Sequence, residues 1–131
     1  MGGYGMKRED KELLLRDLCG RLPYGVKMNH IADTENNQIT LVGIAKTMIT
    51  LESSAGYETS NIEDYIPYLF PLSSMTKEQY DEFTDMGYSV TERWWSMANY
   101  HQIEWLNKNY FDYRGLIEKD LAIDCTKLNI Y

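Results

Sequence analysis

Two histidines, two cysteines and several runs of carboxylates are the residues with the chemistry for catalysis or metal binding. A general base or a nucleophile needs a partner group within hydrogen-bond reach. No cysteine neighbours either histidine in sequence, so a Cys–His pair has no support. His101 falls on the apolar stripe of a helix, one turn from Met97 and Trp105, and reads as a packed, hydrogen-bonded core histidine. His30 falls on a strand candidate. Cys19 and Cys125 form no C-x-x-C motif, which removes a metal knuckle or a thioredoxin-type site. Both read as reduced, small apolar residues.

Glu78, Asp81, Glu82 and Asp85 recur at helical spacing, with Asp81 and Asp85 on one face. The stretch DEFTDMG lacks the alternating oxygen ligands and distal glutamate of a calcium loop. These carboxylates therefore read as a solvated helix face. Paired carboxylates can hydrolyse glycosides when their separation in space is right. That keeps a small hydrolase or nucleotide-acting enzyme using Asp, Glu, Tyr and His as the alternative reading. Gly2, Gly3 and Gly5 follow no strand and precede no Lys-Ser/Thr, so a phosphate-binding loop is excluded. No cofactor or metal is expected.

Fourteen of the seventeen aromatic residues lie between Tyr57 and Tyr113. A stacking platform for single-stranded nucleic acid would need interleaved cations. That stretch holds only Lys77, Arg93 and Lys108. Core packing is the better account, with Trp94, Trp105, Phe70 and Phe83 interlocking inside. One constellation has two readings. Asp112, Tyr113 and Arg114 share a turn beside Phe111. Arg114 ties that turn to a carboxylate such as Asp112 or Glu118, or else the set Trp105, Tyr110, Asp112, Tyr113 and Arg114 anchors a protein partner, since Tyr, Trp and Arg dominate interface hot spots.

The elements that must position these groups follow from periodicity and caps. Residues 7–19 predict a helix with Asp10 as N-cap, a stripe of Leu14, Leu15, Leu18 and Leu22, and Gly20 at C′. Residues 26–31, 38–44 and 48–52 predict three short strands, with a turn near Ala45-Lys46-Thr47. They form an antiparallel meander or one long bent hairpin. Ser53 to Asn61 reads as a polar loop. Pro67 and Pro71 exclude a long helix in 62–72, leaving a helical turn and an extended stretch lying across the core. Thr76 and Gln79 make a capping box for a helix ending at Gly87, and Ser89 and Glu92 make a second for a helix running to about Lys108. Val90, Trp94, Met97, His101 and Trp105 give that helix one stripe. Leu116 to Leu121 forms a short turn, and the tail docks a final short strand with Ile123 and Cys125 inward.

Length and composition fit one domain with one core, residues 7–131, behind a flexible tail, residues 1–6. The longest apolar runs are too short for a membrane span, and MGGYGMKRED lacks the apolar segment of a secretory signal. The cytoplasm is the expected compartment. Residues 1–55 balance seven Lys/Arg against seven Asp/Glu, whereas residues 56–131 carry six against thirteen. An acidic half repels a phosphate backbone and suits a partner with a basic surface.

Three strings carry a resemblance: KELLLRDLCGRLPYGV (11–26), IPYLFPLSSMTKEQ (66–79) and IEWLNKNYFDYRGLIEKDLAID (103–124). In that order they resemble a family of small proteins from gut Bacteroidales genomes and the phages and prophages of those bacteria. The resemblance covers about 52 residues. It implies a mobile-element or host-accessory context and carries over no catalytic or binding residue. The resulting expectation is an α+β domain, a small antiparallel three-stranded sheet packed against an N-terminal helix and two or three C-terminal helices. Its expected role is a non-enzymatic accessory or adaptor protein acting through protein–protein contact.

Overall fold

A computed structural model of the chain describes residues 6–87 and 98–131. Helix α1 (Arg8–Arg21) places Leu14 and Leu18 on its inner face, both fully buried. Its N-cap is Lys7, and Asp10 lies inside the first turn, where the helix dipole favours an anion. Gly20 does not end the helix. It sits within the last turn because an added Cβ would stand 2.8 Å from Asn107 Nδ2.

The sheet corrects the expected three antiparallel strands. It has seven strands and is mixed, with a pairing path β4-β3-β2-β1-β5-β6 and β7 also on β5. Strands β1 (Lys27–His30), β2 (Ile39–Ala45) and β3 (Met48–Ser53) fall where alternation predicts, joined in sequence as an antiparallel meander. Lys46, in the two-residue turn between β2 and β3, has φ +57°. Ser53 to Asn61 is not a loop: β4 (Gly56–Asn61) pairs with the whole of β3. Its GYETSN sequence has no apolar alternation because neither face of it is covered.

Strand β5 (Tyr65–Pro71) follows a 3-10 turn over Ile62–Asp64 and pairs antiparallel with β1 despite its prolines. The Ile31 amide donates to the Asp64 carbonyl at 2.9 Å, which fixes the bonded pairs at alternate positions. Met28 and Pro67 then face each other as a non-bonded pair, so the missing proline N–H costs no bond to β1. Two short strands join β5 in parallel: β6 (Phe111–Asp112) and β7 (Ile123–Asp124). Leu69 accepts from the Cys125 amide while Phe70 donates to Tyr110, so the two flank β5 from opposite sides.

Helix α2 (Lys77–Asp85) opens with the Thr76–Gln79 capping box. Helix α3 (Tyr100–Lys108) is shorter than the predicted helix from Ser89. Asn99 and Gln102 form a capping box of their own and begin α3 afresh. The Ser89 box, and Val90, Trp94 and Met97 of the predicted stripe, lie outside the described residues. The two caps also tie α3 to α2: Asn99 donates to the Met86 carbonyl at 2.7 Å and Gln102 to the Phe83 carbonyl at 3.2 Å. Gly87 is required there by proximity, since a Cβ would meet Asn99 Nδ2 at 2.3 Å.

Two apolar clusters result. One joins α1 to the sheet through Leu14, Leu18, Met28, Leu41, Ile49 and Leu51. The other holds Phe83, Trp105, Leu106, Phe111 and Tyr113, with Phe70 half-buried beside it. Trp105 stacks on Phe111 with ring centres 5.6 Å apart.

Candidate functional site

The turn after α3 is built around carboxylates that the fold withdraws from water. Asp112 is buried and acts on backbone: Oδ1 accepts from the amides of Arg114 and Leu116, and Oδ2 from Ile117. Arg114 reaches neither Asp112 nor Glu118 with its guanidinium. It donates instead to Asp17 Oδ1 of α1 at 3.2 Å. Asp17 also binds Arg21 through Nε at 2.7 Å and Nη2 at 3.1 Å, and both side chains have no exposed surface. Arg21 Nη2 further donates to the Phe111 carbonyl at 2.6 Å, while Nη1 has no hydrogen-bond partner among the described residues. The Tyr113 ring lies against both guanidiniums, at 5.3 Å from Arg21 and 4.9 Å from Arg114. Its hydroxyl donates to Asn107 Oδ1 at 2.8 Å.

The sequence-selected partner set is thereby divided. Trp105, Asp112 and Tyr113 are buried, and Tyr110 and Arg114 are half-buried. Trp105 donates from its indole to Glu82 at 3.1 Å. Tyr110 donates to the Tyr24 carbonyl and stacks on Tyr131 with ring centres 3.7 Å apart. This constellation clamps α1, α3 and β6 together, which is chiefly work inside the fold.

The Tyr131 hydroxyl occupies an unusual place. In the register of β1 and β5, Lys27 stands opposite Tyr68. The hydroxyl lies between them, accepting from the Lys27 amide and donating to the Tyr68 carbonyl, each at 2.9 Å. Burial raises the pKa of this hydroxyl well above the ordinary phenol value. Burial likewise pushes the Tyr68 hydroxyl up to about 12 and the Cys125 thiol up to about 11.

An exposed cluster lies at the start of α3. Tyr100 is 72% exposed and donates to Glu104 at 3.0 Å. Tyr24, half-buried in the turn after α1, stands near enough to feel the same carboxylate. The Tyr100 hydroxyl is raised above its usual range by that bond and by the Glu104 charge. The Tyr24 hydroxyl is raised first by desolvation and then by Glu104. His101 is exposed and meets the Tyr100 ring edge-on at 5.8 Å, so it is not the core histidine that the predicted stripe implied. A new start at Asn99, in place of a continuous helix, goes with this. The cluster combines two phenol faces, a carboxylate and an imidazole within reach of solvent. Sequence reasoning missed it because Tyr24 comes from a different element, and spacing cannot show that Tyr24 and Glu104 come near each other.

His30 is also exposed; its Nδ1 accepts from the Ala32 amide and its ring abuts Tyr65. Lys77 and Asp81 pair on the outer face of α2, as a solvated helix face should. Among the described residues no group of three His, Cys, Asp or Glu side chains could hold a metal ion. A cavity of about 130 Å³ is lined by Phe70, Ser74, Gln79, Phe111 and Thr126, none of them ionisable at neutral pH. Cys19 is exposed and Cys125 buried, both as free thiols. Among the described residues no helix is long and apolar enough to cross a membrane. No protein-family model matches the chain, and no curated protein or solved structure is significantly similar to it.

Proposed function

We propose that this chain is a non-enzymatic accessory or adaptor protein, of phage or mobile-element origin, that binds a basic segment of another protein in the cytoplasm. The observation that carries this reading is the exposed Tyr24–Tyr100–Glu104 cluster with His101 beside it. Phenol faces attract a lysine or arginine cation, and a carboxylate beside them adds a direct charge partner. The excess of Asp and Glu over Lys and Arg supports it by steering cations inward and opposing nucleic acid.

The test is a titration of the protein with a short Lys/Arg-rich synthetic peptide, followed by two-dimensional NMR. Shifts should saturate and centre on Tyr24, Tyr100 and Glu104. Tyr100→Ala and Glu104→Gln should each weaken binding about tenfold, in line with loss of a desolvated cation–π or charged contact. Glu78→Gln, which removes the same charge elsewhere, should weaken it much less. Equal effects of Glu78→Gln and Glu104→Gln would mean only diffuse attraction and would end this reading.

A further inference from the structure

Strand β4 is the outer strand of the pairing path, and among the described residues nothing pairs with its far side. The Ile62 amide donates to the Thr47 carbonyl at 2.8 Å, which sets the bonded pairs of the β3–β4 ladder at alternate positions. Gly56, Glu58 and Ser60 therefore turn their backbone groups to β3. Tyr57, Thr59 and Asn61 turn theirs to solvent. Proteins blunt such edges with lysine, proline or a bulge. Strand β4 has no lysine and no proline, and its register against β3 runs without interruption. Its one charge, Glu58, is engaged by the Tyr65 hydroxyl at 3.4 Å.

We propose that this edge pairs with the β4 strand of a second copy of the chain, antiparallel about a two-fold axis at Thr59. The self-match is what selects a second copy over a foreign strand. With Thr59 opposite its own copy, Tyr57 faces Asn61 and Glu58 faces Ser60, so no like charges stand directly opposite. The exposed amides and carbonyls of Tyr57, Thr59 and Asn61 all find partners. Side chains agree as well. Met48 pairs with Asn61, so the seam places the second copy's Tyr57 on the same row and face as Met48. Tyr57 is 72% and Met48 38% exposed, two of the large apolar side chains the single chain leaves in water. A seam one strand wide lies below the roughly 1,200 Å² of a standard interface, so this dimer forms at micromolar concentrations or above. Both copies are acidic, at a formal charge of −7 each, so added salt strengthens the association.

Sedimentation equilibrium from about 10 µM to about 1 mM, at low and high salt, should show a monomer–dimer equilibrium that shifts toward dimer with salt. T59K and T59E each place two like charges opposite one another at the axis. Each should raise the dimer dissociation constant at least about fivefold, and an equimolar mixture should restore association as a heterodimer. Circular dichroism melts establish that both variants fold; should either fail, Tyr57→Ser takes its place and must weaken the dimer likewise. A wild-type chain that stays monomeric at about 1 mM in high salt overturns the proposal. So does a T59K/T59E mixture that associates no better than either variant alone.

Discussion

Asp17 and Arg21 show how one buried pair can hold three elements. Removing Asp17 strands the buried Arg21 guanidinium without a counter-ion, which costs about 3–5 kcal/mol, whereas removing Arg21 leaves Asp17 still paired with Arg114 and costs less. Asp17→Ala should lower the unfolding free energy by that amount in urea titrations, and Arg21→Ala by less. Asp17→Leu combined with Arg21→Met should lose clearly less than the sum, because the double variant leaves no fully buried charge unpaired and only the half-buried Arg114 loses its acceptor. Tyr131→Phe tests another single group. It removes the bridge between Lys27 and Tyr68 and should cost about 1–3 kcal/mol by the same denaturation. At this scale the sequence was partly legible. The Asp112-Tyr113-Arg114 turn is visible as a set of interacting side chains, and it does act as a structural knot. The identity of the arginine's partner is not visible. Asp17 lies 97 positions from Arg114, and no local spacing reports such a contact.

Elements with end signals were the most legible. The Thr76 capping box is present as read, and Thr76→Ala should cost about 1 kcal/mol in a thermal melt. Gly87 follows the C-cap Met86, at the C′ position expected of it, whereas Gly20 lies inside α1. Neither Gly20 nor Gly87 adopts a left-handed conformation; each lets a side chain of α3 approach. Gly20→Ala therefore sets a helix-propensity gain of about 1 kcal/mol against overpacking of about 1–3 kcal/mol. We expect net destabilisation, relieved when Asn107 is also replaced by alanine, with melting temperature as the measure. Strand β4 escaped because a strand exposed on both faces leaves no alternation to find. Strand β6 escaped because it is two residues long and owes its place to β5, whereas β7 falls in the tail, where a final short strand is expected. The predicted long helix erred at Asn99, where a side chain able to cap outweighed a continuous apolar period.

The whole molecule combines these contacts into one dependence on pH. Tyr68, Tyr131 and Tyr110 have pKa values raised by burial, Tyr68 to about 12, against 10.0 for a free phenol. The folded state thus keeps protons that the unfolded state releases. The associated stability is complete below about pH 10 and falls as pH rises from there through about 12. Circular dichroism against pH should show cooperative unfolding in that window, and Tyr68→Phe should move the transition upward. The Tyr68 hydroxyl has no hydrogen-bond partner among the described residues, so the same change should cost little at neutral pH. The α+β class and the aromatic interior around Phe83 and Trp105 were legible at this scale; the extent of the sheet was not, since parallel pairing of β5 with residues 111 and 123 is set by tertiary contacts alone. The two thiols offer a last consequence. Cys19 faces solvent, whereas Cys125 is fully buried and its amide is bonded to Leu69. A maleimide dye at mildly alkaline pH should therefore label one position quickly, and the slow arrival of a second dye would clock how often the last strand peels away from its neighbour.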